Sequence, residues 1–208
     1  MCGRFALVSD KAVIAEKFDV RDGAYEFGPS WDVAPGQYIP AVIRKNGRNI
    51  IAPFLWGLIP SWAKDPAIGR GLINARAETV NDKPSFKKAF AKRRCLVIAD
   101  GFYEWKKEGK KKTPLYFYLK TKEPFGFAGI YETWKAPDKT RIDSCTIITT
   151  EANGLVAPAH DRMPVIVPAK EEGAWLGERT EERTLLSILR PYAAEEMDYK
   201  TGMGPRFA

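Results

Sequence analysis

The sequence predicts an α+β fold, with a mainly antiparallel curved sheet or incomplete β-barrel and helices at its flanks. Strand-like segments dominate the chain, and short turns join them, which is typical of antiparallel hairpins. The clearest turn is Asn46-Gly47, because an Asn-Gly pair between apolar segments favours a two-residue hairpin loop. No internal repeat or linker interrupts the 208 residues. We therefore expect one domain over residues 1–208, with an atypical tail from about Asp198 that is a candidate for disorder.

Hydrophobic periodicity and turn residues predict the elements in order. Ser9 is expected to cap a helix over residues 10–18, and residues 19–37 are expected to form a loop. Pro84 is expected to open a second helix at its favoured first position, and a third helix is predicted over residues 180–189. The predicted strands cover residues 5–8, 38–44, 49–58, 95–99, 102–106, 115–119, 125–134, 144–150 and 164–167.

The composition narrows the class of protein. Hydrophobic residues make up 45% of the chain and charged residues 28%, the balance of a packed globular core. No apolar run approaches the roughly 18 residues of a membrane span, and the N-terminus lacks the pattern of a secretory signal. Cys2, Cys95 and Cys145 are odd in number and far apart, which argues against a disulfide framework or structural zinc. We expect a cytoplasmic protein with no membrane partner, no metal and no cofactor, and inert core thiols at Cys95 and Cys145.

The charge balance points to a polyanionic partner. The formal net charge is +7, which favours nucleic acid as the simplest partner. Exposed members of the six tryptophans would offer stacking surfaces for bases, although core packing is the ordinary role of an indole. The lysine-rich run over residues 106–112 is expected to be a solvated hairpin tip.

Cys2 is the candidate nucleophile. Removal of the initiator methionine would leave Cys2 with a free amine and a thiol two carbons apart, so that both groups can capture one aldehyde carbon. The amine forms a Schiff base, and the sulfur then closes a thiazolidine ring. The ordinary pKa values of the two groups are about 7.7–8.0 and about 8.5, and a nearby cation such as Arg4 is expected to favour the thiolate. The alternative is that Cys2 merely follows the start codon.

Polar residues in apolar surroundings are the other candidates for chemistry. His160 is the only histidine, so any imidazole chemistry must use it. Strand alternation places Glu104 and Phe102 on one face and Tyr103 and Trp105 on the other. A carboxyl group beside aromatic bulk has a raised pKa and can transfer protons near pH 7, unless Glu104 is simply an exposed strand residue. The GxSxG, GxGxxG and GxxxxGK[ST] patterns are absent, which argues against a hydrolase elbow and phosphate loops.

Five motifs, taken together and in this order, resemble the SRAP family of SOS response-associated peptidases, also called abasic-site processing proteins. The resemblance extends from Cys2 to about Val167. The motifs are Met-Cys-Gly-Arg-Phe at 1–5, Trp-Gly-Leu-Ile-Pro-Ser-Trp at 56–62, Asn-Ala-Arg-Ala-Glu-Thr at 74–79, Gly-Phe-Tyr-Glu-Trp at 101–105 and His-Asp-Arg-Met-Pro at 160–164.

The resemblance implies a protein that binds single-stranded DNA containing abasic sites and shields the lesion by a covalent bond. We expect it to associate with the nucleoid when bound to DNA, and to be a monomer because no coiled-coil pattern or large amphipathic surface demands an oligomer. The resemblance also implies that Cys2 is the nucleophile, that Asn74 positions the N-terminus and the sugar, that Glu104 opens the deoxyribose hemiacetal, and that His160 lies beside the sugar oxygen. The residues implied in contacts with phosphate are Arg4, Arg76 and Arg162. Trp62 is expected either to stack beside a base next to the lesion or to pack its own loop.

Two features depart from the family pattern. Asp32 stands where asparagine is commoner, and its carboxylate would repel phosphate if it faced the DNA groove. The residues after Glu195-Glu196-Met197 do not match the family's terminal segment, so the last strand is expected to be missing or replaced. Two other functions stay open at this point: a self-processing cysteine peptidase or thiol hydrolase, and a non-catalytic module that binds single-stranded DNA electrostatically.

Overall fold

The structure, a computed structural model, describes residues 2–22, 26–136 and 138–204. In chain order the strands are β1 (Phe5–Leu7), β2 (Val20–Asp22), β3 (Ser30–Val33), β4 (Tyr38–Lys45), β5 (Arg48–Trp56), β6 (Asn74–Arg76), β7 (Arg94–Ala99), β8 (Gly101–Glu108), β9 (Lys111–Leu119), β10 (Phe125–Lys135), β11 (Arg141–Glu151), β12 (Arg162–Pro164), β13 (Ile166–Val167) and β14 (Met197–Thr201). The helices are α1 (Lys11–Lys17), α2 (Lys87–Lys92), α3 (Ala169–Leu176) and α4 (Glu182–Ile188), and short 3-10 helices cover Pro66–Gly71, Ala77–Thr79 and Ala194–Glu196.

Hydrogen bonds close five strands into a ring. β11, β10, β7, β4 and β5 are neighbours in that order, and β5 returns to β11 through a parallel pairing of Leu55 with Ser144 and of Trp56 with Cys145. The ring strands are otherwise antiparallel. The predicted fold class, α+β with a mainly antiparallel curved sheet, is therefore confirmed, and the long-range β5–β11 pairing supplies the closure.

A second sheet carries the N-terminus. Its strand order is β14-β9-β8-β1-β3, so β1 lies between β8 and β3. The core joins the two sheets: the ring of Phe5 on β1 lies 5.2 Å from that of Trp56 and 5.9 Å from that of Phe127. Each of these side chains is almost completely excluded from solvent. Their burial stabilises each aromatic position by about 1.5–3 kcal/mol and fixes β1 against the barrel.

The predicted hairpin over residues 38–58 is confirmed. Asn46 and Gly47 have φ values of 52° and 76°, the left-handed pair that a type I′ turn requires, and Lys45 pairs with Arg48. Residues 19–37, however, are not all loop. β2 pairs with β5, and β3 pairs with β1, because short edge strands need little side-chain patterning once a partner strand is available.

Of the three predicted helices, the one over residues 180–189 is confirmed as α4 (Glu182–Ile188), whereas the predicted starts of the first two were wrong. α1 begins at Lys11 after Asp10, and Ser9 does not cap it, because the Ser9 hydroxyl and N–H both donate to the Asp100 carboxylate. α2 begins at Lys87, three residues after Pro84. The carbonyl of Lys83 accepts from the N–H groups of both Phe86 and Lys87, which makes a turn around Pro84 before the regular helix.

The terminal strand is present. β14 pairs along β9 from Met197 opposite Leu119 to Thr201 opposite Leu115. Of the two expected outcomes, a missing or a replaced strand, the first was wrong: a strand with other side chains is present, because backbone pairing does not require the family's side chains. Buried Met197 and the ring of Tyr199, 5.7 Å from that of Phe117, anchor the strand. The last four residues of the tail, 205–208, lie outside the described residues.

One helix was not predicted. α3 buries Trp175, whose indole N–H donates to the Cys95 carbonyl at 2.9 Å. Its glycine at 173 weakens the helical pattern, so tertiary packing decides this helix. Among the described residues no helix exceeds eight residues, and none is long and apolar enough to cross a bilayer.

Candidate active site

Cys2 lies three residues before the start of β1 and is fully buried. Phe5 pairs with Phe102, and the Tyr103 N–H donates to the Arg4 carbonyl at 3.0 Å. This antiparallel register draws residues 2–4 along the segment of β8 that contains Glu104. Met1 lies outside the described residues.

The thiol of Cys2 is held in its neutral form. Burial raises its pKa well above the ordinary value, and the negative charge of Glu104 acts in the same direction. The expectation that Arg4 favours the thiolate was wrong, because the Arg4 guanidinium lies 2.5 Å from the Asp32 carboxylate instead. The Asp32 carboxylate therefore contacts Arg4, and both side chains remain partly exposed.

Glu104 is a buried carboxyl group. Its side chain is 3% exposed, which excludes the alternative of an exposed strand glutamate. Burial raises its pKa to about 7, and the charge of Asp161 contributes in the same direction. The predicted alternation is confirmed: Phe102 packs in the main core, whereas Tyr103 and Trp105 pack in a separate aromatic cluster on the opposite face. Glu104 is therefore suited to exchange protons near neutral pH.

Asn74 joins Cys2 to the barrel. Its side-chain N–H donates to the Cys2 carbonyl at 2.9 Å, while its buried Oδ1 has no hydrogen-bond partner among the described residues. β6 holds Asn74 opposite Ile147 of β11. Trp56 supports the same segment, since its indole N–H donates to the Ile73 carbonyl at 2.9 Å. Trp56 thus contacts both β1, through Phe5, and Ile73, the residue before Asn74. Sequence reasoning did not assign this role.

His160 lies just before β12 and is about one-third exposed. Its Nδ1 lies 3.0 Å from the Arg162 N–H, which donates to it, and 2.7 Å from an Asp161 oxygen. One nitrogen cannot accept from the first and donate to the second, so the two contacts correspond to different protonation states. Burial lowers the pKa of His160, and the charge of Asp161 opposes this shift. We favour the neutral ring that accepts from Arg162, which leaves Nε2–H as a donor.

The three candidate phosphate-binding arginines differ in their surroundings. Arg76 is exposed on β6, opposite Thr149. Arg162 donates to both carboxylate oxygens of Glu78, at 2.6 and 3.0 Å, and to the Thr149 carbonyl at 2.6 Å. The hydrogen bonds from Arg162 lower the pKa of Glu78. Arg162 therefore braces β11, β12 and the turn after β6 as it stands.

Sequence reasoning also did not assign the two partners of Arg162. Glu78 lies within the 74–79 motif, which was the available signal. Thr149 accepts through its backbone carbonyl, for which a sequence carries no signal.

Trp62 is 55% exposed, and it lies in a loop whose neighbouring residues are held by side chains of β10. The Trp134 indole donates to the Ala63 carbonyl at 2.7 Å, and Ser61 lies 3.4 Å from the buried Glu132 carboxylate. The loop thus packs through Ala63 and leaves the Trp62 ring facing solvent. In the described part of the chain, no cluster of three His, Cys, Asp or Glu side chains suits a metal ion.

The fold and the site define a class: a mixed barrel with a buried cysteine at position 2, which accepts a hydrogen bond from Asn74 and lies within the field of the buried Glu104 carboxyl group. The chain belongs to the SRAP family, described as SOS response associated peptidase, whose profile matches residues 1–201.

Relatives and solved structures agree with this membership. The chain is 45% identical over 202 residues to the abasic site processing protein YoqW of Bacillus subtilis, covering 95% of this chain and 90% of that protein. It is 32% identical to the abasic site processing protein YedK of Escherichia coli, covering 85% of this chain and 79% of that protein. A crystal structure of a protein from Bacteroides thetaiotaomicron superposes with a TM-score of 0.90 at 29% identity, covering 96% of this chain and 91% of that one.

Proposed function

We propose that this protein processes abasic sites by binding single-stranded DNA and linking Cys2 covalently to the opened sugar through a thiazolidine ring. The observation that carries the proposal is Cys2 itself, which is buried, bound by Asn74 and under the charge of a carboxyl group whose pKa is about 7. The names of the relatives support the substrate. We further propose a monomeric, single-domain protein that acts in the cytoplasm on nucleoid DNA.

The chemistry begins with the sugar. An abasic deoxyribose is mostly a closed hemiacetal, and opening it requires a proton to leave the anomeric hydroxyl and another to reach the ring oxygen. Glu104 takes the first proton in its carboxylate form and returns it to the ring oxygen, while His160 would lie beside this oxygen as a hydrogen-bond partner. A carboxyl group with a pKa of about 7 populates both forms at neutral pH, which suits repeated proton transfer.

The two nucleophilic groups of Cys2 then react in sequence. Once Met1 has been removed, the neutral amine attacks the aldehyde carbon, and water leaves to give the Schiff base. The neutral thiol then adds to the same carbon, its proton passing to the nitrogen, so the ring closes with one water released overall. Holding both groups beside one aldehyde turns a bimolecular reaction into an intramolecular one, with a large effective molarity.

Asn74 has a positioning role in this proposal. Its N–H fixes the Cys2 carbonyl, and its unpartnered buried Oδ1 is available to accept from the amine or a sugar hydroxyl. Arg4 and Arg76 would hold the flanking phosphates without reading sequence. Arg162 would contribute to phosphate binding through the braced surface, and Trp62 would stack on a neighbouring base.

A denaturing gel tests the proposal. Wild-type protein incubated with single-stranded DNA containing one abasic site should give a shifted band that survives denaturation, and Cys2→Ala should abolish it while leaving salt-sensitive binding intact. Glu104→Gln should slow attachment by about 10²–10⁴-fold, the usual range for a general acid–base group, with little loss of binding. A band that survives Cys2→Ala would assign attachment to another amine.

The intact mass of the purified protein tests the alternative function, a self-processing peptidase. If the same site cleaves its own N-terminus, Met1 should remain in Glu104→Gln and be absent from wild type. If Met1 is lost from both, the cellular aminopeptidase suffices and self-processing is excluded.

A further inference from the structure

The chain crosses the outer face of the second sheet after β14. The Gly202 N–H donates to the Pro114 carbonyl of β9 at 2.9 Å. Two residues later, the Gly204 N–H donates to the Tyr103 hydroxyl of β8 at 3.3 Å. Residues 202–204, which we call the strap, therefore run from one strand to the next across the sheet.

The glycines of the strap determine its path. Gly202 and Gly204 have φ values of 117° and 63°, in the left-handed region that residues with a side chain rarely adopt. A Cβ at Gly204 would also lie 3.2 Å from the Cβ of Trp31 on β3, which is closer than side chains normally pack. The Gly-Met-Gly sequence thus lets the backbone cross β8 and reach β3.

Met203 fixes the strap to the sheet. Its side chain packs against the buried aromatic rings of Tyr103 and Tyr116, against which Trp31 also packs. Because Tyr103 is fully excluded from solvent, its hydroxyl needs a partner within the protein, and the Gly204 N–H supplies one. The strap and the Tyr103 side chain therefore hold each other in place.

The strap is connected to the N-terminal segment by two routes, which both end at Arg4. Tyr103 donates its backbone N–H to the Arg4 carbonyl at 3.0 Å. Trp31 directly precedes Asp32, whose carboxylate lies 2.5 Å from the Arg4 guanidinium. The backbone and the side chain of Arg4 are thus both held by residues that the strap contacts or that adjoin such a residue.

Residues 2–4 depend on contacts of this kind because they precede β1, which begins at Phe5. Asn74 holds the Cys2 carbonyl, and Tyr103 holds the Arg4 carbonyl. If the second contact loosened, Cys2 could shift relative to a bound sugar. A misplacement of about 1 Å can slow a reaction between positioned groups by about 10²-fold.

We propose that the strap positions residues 2–4 for attachment to DNA, with Met203 and Gly204 acting through Tyr103 and Trp31. The inference rests on the proposed function, since it names residues that prepare Cys2 for the same reaction. The strap lies on the face of β8 that carries Tyr103, opposite to the face of Glu104. Its residues therefore act through the strand and do not touch the substrate.

Two truncations test the strap as a matched pair. A chain that ends at Thr201 lacks the strap, whereas a chain that ends at Gly204 retains it and lacks only residues 205–208. With saturating single-stranded DNA that contains one abasic site, attachment should be up to about 10²-fold slower in the shorter chain and unchanged in the longer one. The Kd for noncovalent binding should change far less than the rate. Equal attachment rates in the two truncated chains would overturn the proposal.

Alkylation of the cysteines separates a positioning role from a general loss of stability. Cys2, Cys95 and Cys145 are all fully buried, but Cys95 and Cys145 lie on the barrel strands β7 and β11. Iodoacetamide should modify Cys2 several-fold faster in the chain that ends at Thr201, and should modify Cys95 and Cys145 as slowly as in wild type. Peptide mass mapping measures each site. Faster modification of all three cysteines would indicate general unfolding and overturn the proposal.

A point variant tests the hydrogen bond in the full chain. Tyr103→Phe removes the acceptor of the Gly204 N–H and keeps the aromatic ring, so attachment should slow in the same direction as in the shorter truncation. Tyr118→Phe is the matched control, because it removes a hydroxyl from the same aromatic cluster whose neighbour is Asp198. Equal attachment rates in the two variants would contradict the proposal.

The two proposals fail separately. If wild type forms no covalent product, the Cys2 chemistry is refuted, while faster alkylation of Cys2 in the chain that ends at Thr201 would still sustain the strap. If wild type forms the product and both truncated chains form it at the same rate, the Cys2 chemistry stands and the strap is refuted.

Discussion

Single residues in the site owe their properties to specific neighbours. The thiol of Cys2 is neutral because it is buried beside Glu104, and Arg4 does not offset this because Asp32 holds its guanidinium. Both members of that ion pair are substantially exposed, so the pair contributes at most about 1 kcal/mol to stability. The ion pair matters for the proposed DNA binding, since a phosphate that contacts Arg4 would have to compete with Asp32.

Replacing Asp32 should therefore favour DNA. In Asp32→Asn we expect tighter binding of single-stranded DNA by several-fold at low salt, because Arg4 is released and one repulsive charge is lost. The change in stability should stay within about 0.5 kcal/mol. Fluorescence anisotropy over a salt series would measure this.

The control for this prediction is Glu195→Gln, which removes one negative charge from an exposed residue outside the site. If Asp32→Asn and Glu195→Gln tighten binding equally, the effect is one of net charge, and Asp32 does not compete for Arg4.

At the scale of elements, β8 connects the core to the site. It starts at Gly101, where the second sheet leaves no room for a side chain. A Cβ there would lie 2.4 Å from Cζ of Tyr116 and 2.5 Å from the carbonyl oxygen of Phe117. The strand can therefore approach β9 only with glycine at this position, and three residues later the same strand presents Glu104.

Gly101→Ala should separate β8 from β9 locally. We expect a destabilisation of about 1–3 kcal/mol from overpacking, read as a melting temperature lower by several degrees, and slower DNA attachment because Glu104 shifts with its strand. Gly71→Ala is the matched control, since a Cβ at Gly71 meets nothing within 4 Å. Similar melting temperatures for wild type and Gly101→Ala would show that β9 adjusts at no cost.

At the scale of the whole molecule, two carboxyl groups couple folding to pH. Burial raises the pKa of both Glu104 and Glu172 to about 7, and Lys17 opposes the shift at Glu172. Such groups stabilise the folded state below their unfolded pKa near 4.5, and this stabilisation is lost as the pH rises through 7. His160 acts oppositely: because its folded pKa is lowered, its contribution falls as the pH decreases below about 6.5.

Glu172→Gln isolates one of these contributions away from Cys2. Between pH 4.5 and 7 the free energy of unfolding of the wild type should fall by up to about 3 kcal/mol more than that of the variant. The stability of the variant relative to the wild type should therefore increase as the pH rises. Melting curves at pH 5 and pH 8 for both proteins, with Glu195→Gln as the exposed control, would measure it. A constant difference between wild type and Glu172→Gln at the two pH values would contradict a raised pKa.

The amino-acid sequence by itself determined the features that depend on near neighbours. Asn46-Gly47 specifies its turn, period-two alternation separates Glu104 from Trp105, and the motif blocks identify the family. Each of these features depends on local backbone preference or on residues adjacent in the chain, and a sequence pattern reports such local interactions directly.

Only the tertiary structure decided how distant residues pair. Ser9 bonds Asp100 instead of capping α1, Asp32 holds Arg4, Glu78 holds Arg162, and β14 adds to β9 without the family's side chains. These partners lie tens of residues apart, and each choice depends on which groups the closed barrel leaves within reach. A local pattern cannot rank such competitors, because burial and the distances between charges exist only once the chain has folded.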